Sequence, residues 1–165
     1  MDYREIVEKW RPTSTRVLNH SQSKRLLNEC GIGQPRTKQE PASGVELRIA
    51  IEQDPGFGHV LVFSYGKMAM DIWEDVSYRI LPLSPKDARI IITEPKASLL
   101  LEGYSLFQAP NRNLIEKMLL NISDLIVQVP EIEKMDLDPV FAYKQEIVII
   151  GASIEFNDLI AEAVF

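Results

Sequence analysis

Gly44-Val45-Glu46-Leu47-Arg48-Ile49-Ala50-Ile51, then Asp54-Pro55-Gly56-Phe57-Gly58, then Val60-Leu61-Val62-Phe63, is the stretch on which the fold turns. Val45, Leu47, Ile49 and Ile51 alternate with Glu46, Arg48 and Ala50. Successive side chains of a strand point to opposite faces, so this alternation predicts a strand with one buried face. The Asp-Pro-Gly-Phe-Gly segment demands a turn, and Val60 to Phe63 returns as a second strand, giving a hairpin.

Further extended pieces flank this hairpin. Met68, Met70 and Ile72 alternate, Tyr78, Ile80 and Leu81 form a short piece, and Met135 to Tyr143 and Ile147 to Ile154 are separated by the polar turn Lys144-Gln145-Glu146. Helices lie between and before them. Ser84-Pro85-Lys86-Asp87 supplies a capping hydroxyl, a first-turn proline and an acid at the positive end of the dipole, predicting a helix to about Thr93. Asn111 or Asn113 caps the longest helix, where Leu114, Ile115, Met118, Leu119, Ile122, Leu125 and Ile126 recur every three or four residues. The first forty residues read as two short helices; Ser21 or Asn19 caps one of them and Gly31 ends it in a left-handed cap. The expected architecture is α+β, a mainly antiparallel sheet covered by helices on one face. Residues 1–43 are expected to hold N-terminal helices and a polar linker, 44–156 the α+β domain, and 157–165 a C-terminal helix.

Composition narrows the function. The 165 residues are 45% hydrophobic and 25% charged, the make-up of an ordinary globular chain. The net charge of −6 repels nucleic acid and anionic lipid. Residues 1–40 nevertheless carry eight Lys/Arg against five acids, so a head of +3 precedes a remainder of −9. Such a head is either a solvated face or a surface for an acidic partner. The single cysteine, Cys30, excludes an intramolecular disulfide. With no apolar leader and no run long enough to span a bilayer, a cytoplasmic protein with neither a nucleic-acid nor a membrane partner is expected.

Few residues suggest chemistry. His20 and His59 lack the partners of a catalytic triad. His59, at an exposed strand entrance, could pass on a phosphoryl group, although a surface histidine is the commoner reading. Met68 and Met70 are core fillers rather than a soft-metal site. Asp136 and Asp138, two apart on a strand, share a face, and neighbouring carboxylates repel unless a cation or a lysine lies between them. Oxygen ligands of this kind suit magnesium; the alternative is a polar strand end facing water.

Five motifs occur together and in order: Gly44-Val45-Glu46-Leu47, Gln53-Asp54-Pro55-Gly56-Phe57-Gly58-His59, Asp75-Val76-Ser77-Tyr78-Arg79-Ile80-Leu81-Pro82-Leu83, Lys86-Asp87-Ala88-Arg89 and Met135-Asp136-Leu137-Asp138-Pro139-Val140. Over roughly two-thirds of the chain they resemble the C-terminal part of the ATP-grasp (beta) subunit of ADP-forming acyl-CoA synthetases, relatives of the succinyl-CoA synthetase beta chain. The helix at Ser21 to Gly31 and the following Ile32-Gly33-Gln34-Pro35 resemble that family's opening helix and turn.

The resemblance implies two lobes that clamp Mg-ATP or ADP and histidines that relay phosphate toward an acyl phosphate and acyl-CoA. It puts Glu46, Gly66, Lys67 and Arg79 on the nucleotide and phosphate side, and Asp136 and Asp138 at the metal. Four departures accompany it. Only eight residues separate Pro35 from Gly44, where the family has its first lobe. A Gly-Gly loop reads Gly66-Lys67, the metal-binding asparagine before proline is Asp138, and a second metal-binding aspartate and an arginine align with Gly151 and Ser153. Catalysis by this chain alone is therefore not expected. The favoured reading is a non-catalytic subunit or interaction module beside a CoA-binding acyl-CoA synthetase-like chain, or a self-associating one. Its alternatives are half of a composite Mg-ATP-dependent ligase and a nucleotide- or CoA-binding regulator using the Asp54 to His59 turn and Arg79.

Overall fold

The computed structural model describes residues 1–33, 44–66, 71, 73–102 and 109–157. The linker expected to continue to residue 43, Lys67, Met68, Met70, Ile72 and the expected terminal helix beyond residue 157 lie outside them. In chain order the described elements are α1 (Tyr3–Trp10), β1 (Val17–Leu18), α2 (His20–Glu29), β2 (Val45–Asp54), β3 (Gly58–Ser64), β4 (Val76–Ile80) and α3 (Pro85–Ile91). A 3-10 helix (Lys96–Glu102), α4 (Arg112–Gln128), β5 (Ile132–Ala142), β6 (Ile147–Ile149) and β7 (Ala152–Phe156) follow. The strands form one sheet in the order β1-β7-β5-β2-β3-β4, with β6 beside β5, and every described pairing is antiparallel. The α+β architecture holds.

Period two sorts the sheet into two faces. Leu47, Ile49 and Ile51 on β2, Leu61 and Phe63 on β3, Leu137 and Val140 on β5 and Ile154 on β7 are fully buried in one cluster. Ile115, Leu119, Ile122 and Leu125 of α4 complete it, as do Val7 of α1, Leu26 and Leu27 of α2 and Ile91 of α3. The four described α-helices thus cover one face, because each presents its apolar stripe to the same apolar side of the pleat. Register places Arg48, Ala50, Glu52, Asp136, Ser153, Val62 and Tyr78 on the opposite face.

Local chemistry accounts for the helix boundaries. Asn19 caps α2 in a reciprocal capping box with Gln22, Ser84 caps α3 in one with Asp87, and Asn111 caps α4. Gly31 takes φ +70° just beyond α2, the conformation its C-terminal cap required. Two features depart from expectation. The strand expected over Ile147 to Ile154 is broken at Ile150-Gly151, where both backbone N–H groups donate to Pro139 O. The N-terminal segment also adds a strand: β1 pairs with β7, and Leu18, Leu26, Leu27 and Ile32 join the central core. Among the described residues, no helix is long and apolar enough to cross a membrane.

Candidate functional site

The uncovered face carries its chemistry at an irregularity. β2 and β5 pair Leu47 with Val140 and Ile49 with Leu137, so Asp138 and Pro139 together oppose Arg48 alone. A bulge is where a strand tolerates proline, which has no N–H for the ladder. Alternation from Asp136 puts Asp138 on the uncovered side, and the bulge returns Val140 to the core. The Arg48 guanidinium approaches both acids there, with Nη2 3.0 Å from Asp136 Oδ2 and Nε 3.8 Å from Asp138 Oδ2. Its side chain is 14% exposed, against 48% for Asp136 and 23% for Asp138. Asp136 faces Ala50 on one side and Ser153 on the other. Arg48, Ala50, Asp136 and Ser153, with Glu52, Lys134 and Glu155, line a shallow groove of about 220 Å³.

The expected pair therefore does share a face, and the cation between its members is Arg48. The strand pattern contained that signal: an arginine at a non-core position of β2, beside carboxylates that need a counter-charge. Magnesium fits this donor set poorly. Asp136 Oδ1 is buried without a hydrogen-bond partner, one acceptor a cation could use. Against it, a guanidinium already stands against both carboxylates, and among the described residues no three metal-capable side chains cluster. Gly151 adds a steric limit. A Cβ there would lie 2.0 Å from Asp138 O, so this backbone has no room for a carboxylate at position 151.

The nucleotide-side candidates separate. Glu46 and Gly66 come together: Gly66 takes φ +81°, and a Cβ on it would sit 3.2 Å from the Glu46 carboxyl carbon. Lys67 lies outside the described residues. Arg79 does not join them, because its register partner is Leu61, on the helix-covered face, where it pairs with Glu94 and approaches Asp87. Arg79 holds Glu94 below the usual carboxylate range by hydrogen bonding, and Glu94 raises Arg79 in return.

Other expected groups are engaged in structure. His59 is half-buried rather than exposed, with Nε2 2.7 Å from Ile132 O. Asp54 Oδ1 accepts from Gly56 N and Phe57 N within its own turn. His20 Nδ1 accepts from Ala152 N. Cys30 is buried at the end of α2, and burial, then the nearby Glu29, pushes its thiol up to about 12.

Comparison with known proteins follows the same lines. Residues 34–156 match the ATP-grasp domain family. The chain is 40% identical over 103 residues to the beta subunit of acetate–CoA ligase [ADP-forming] II from Pyrococcus furiosus, covering 62% of this chain and 44% of that one. It is 30% identical over 109 residues to the beta subunit of isoform I from the same organism, covering 66% and 47%. It thus spans about half the length of the curated relatives it matches. The fold resembles acetyl-coenzyme A synthetase 1 of Ca. Korarchaeum cryptofilum, solved with coenzyme A and Mg-AMPPCP, at a TM-score of 0.80 and 24% identity over 94% of this chain and 100% of that one.

Proposed function

This chain belongs to the ATP-grasp domain family, and from that premise we propose that it is a non-catalytic ATP-grasp module that works beside a CoA-binding acyl-CoA synthetase-like chain. The observation that carries this reading is the closeness of Gly151 to Asp138 O, 2.0 Å for an added Cβ. It removes the second carboxylate that the resemblance puts at the metal. Magnesium on nucleotide phosphates is held by one or two protein carboxylates, and in-line phosphoryl transfer depends on positioning both ends of the reaction. Asp138, shared with an arginine and preceded by only eight residues between Pro35 and Gly44 where the resemblance puts a first lobe, supplies too little of that positioning. What the module keeps is a helix-covered sheet with an uncovered face, the material of a subunit contact.

One observation favours a second reading, half of a composite ligase: Asp136 Oδ1 is buried without a hydrogen-bond partner. Co-purification from the native host, followed by assay of the complex for acid- and CoA-dependent ATP turnover, separates the two. The module reading expects a CoA-binding partner, and the same turnover by the complex whether this chain is wild type or Asp138→Ala. Turnover lost with Asp138→Ala supports the composite enzyme and overturns the module. Recovery of this chain without any CoA-binding protein overturns both.

A further inference from the structure

We propose that Arg48 is a built-in counter-ion that takes the place of a divalent cation between Asp136 and Asp138, so that this chain holds its paired carboxylates without metal and conceals a cation site that removal of the guanidinium would open. Two acids at alternate positions of one strand face bring like charges together, and the bulge at Asp138-Pro139 sets the second of them opposite Arg48. A planar guanidinium can offer different N–H groups to two carboxylates at once. From the neighbouring strand Arg48 donates Nη2–H to Asp136 Oδ2 at 3.0 Å and stands at ion-pair distance from Asp138 Oδ2, with Nε at 3.8 Å.

Among the described residues, those flanking Asp136 carry no cation that takes its place. Asp136 is flanked across the sheet by the methyl of Ala50 and the neutral hydroxyl of Ser153. Pro139 has no N–H to donate, and Gly151 N is already spent on Pro139 O. Lys134, two residues along β5, has Glu155 as its register partner. Asp136 Oδ1, buried and unpartnered, is an acceptor that Arg48 leaves over. A dication entering this space would have to displace a guanidinium of the same sign whose side chain is only 14% exposed.

The inference concerns this chain alone and goes beyond the reading above. Loss of the CoA-binding partner would leave it standing, and metal binding by the unmodified chain would remove it without touching the question of partnership.

The test compares the full-length chain with Arg48→Met and Arg48→Lys. Free Mn2+ is followed by its paramagnetic resonance, and melting is recorded in EDTA, MgCl2 or MnCl2 at matched ionic strength. Wild type and Arg48→Lys should bind no Mn2+ at millimolar concentration and melt at the same temperature in all three solutions. Arg48→Met should melt lower in EDTA, recover on adding Mn2+ or Mg2+, and bind Mn2+ roughly tenfold or more tightly than wild type. Adding Asp136→Asn and Asp138→Asn to it should abolish both the recovery and the binding. The proposal is overturned if wild type binds Mn2+ as well as Arg48→Met does, or if Arg48→Met gains nothing from the metal. An Arg48→Met chain unfolded in EDTA is judged the same way: refolding on Mn2+ supports the proposal, and failure to refold overturns it.

Discussion

Gly151 shows how much one missing side chain decides. Its backbone accepts from Asp138 N at 3.0 Å and donates to Pro139 O at 3.2 Å, so the two chains touch where a Cβ would stand. Gly151→Ala should destabilise the fold by roughly 1–3 kcal/mol, as overpacking does, measured by urea denaturation. Gly151→Asp should cost at least as much and gain no Mg2+ binding by calorimetry. Cys30 makes the opposite point, a reactive group silenced by its surroundings. Its thiol is pushed up to about 12 by burial and then by Glu29, so little thiolate exists near neutrality. A chromogenic disulfide reagent at pH 8 should leave it unmodified in the native protein and label it promptly in denaturant. Both residues stand in the sequence as plainly as any other, but the neighbour that gives each its meaning is distant along the chain or supplied by burial.

At the scale of the element, caps are local and the sequence carries them almost completely. Asn19 with Gln22 and Ser84 with Asp87 are reciprocal boxes three residues apart, and Asn19→Ala should cost about 1 kcal/mol in a thermal or urea melt. The α3 cap also sets an acid response. Ser84 Oγ and then Ser84 N hold Asp87 below its ordinary 3.8, and Arg79 holds Glu94 below its ordinary 4.5. Lowered carboxylates add stability that is complete above those ordinary values and disappears as pH falls through the folded ones. Acid titration should therefore destabilise the protein below about pH 4.5, with a shallower slope for Ser84→Ala and Arg79→Met; an unchanged slope in both would refute the assignment. Strands were less legible than helices. β1 is two residues long and has no periodicity to read, and β6 and β7 looked continuous because the break at Ile150-Gly151 is made by Pro139 on another strand.

Over the whole molecule, the charge asymmetry finds its complement within the chain. Arg4 pairs with Glu131 at 3.0 Å, and Arg16 lies 2.8 Å from Glu133 and 3.8 Å from Glu155. Burial opposes ionisation of Glu131, yet the hydrogen bond from Arg4 holds it below the usual range. Arg4 and Arg16 of the basic head thus dock on acids of the β5–β7 region. Exposed pairs of this kind add little energy; the attachment is apolar, through Leu18, Leu26, Leu27 and Ile32 in the common core. Leu26→Ala should accordingly cost about 2–5 kcal/mol in a single cooperative urea transition. A separate early transition for residues 1–33 would show that the segment is only loosely joined. From residue order alone came the alternation, the caps, the α+β class and the shared face of Asp136 and Asp138, because each depends on neighbours within a few positions. Whether a cation or water meets those two acids, which face Arg79 takes and why position 151 has no side chain depend on strand register and one bulge. Those are contacts between residues tens of positions apart, and only the closed sheet brings them within reach.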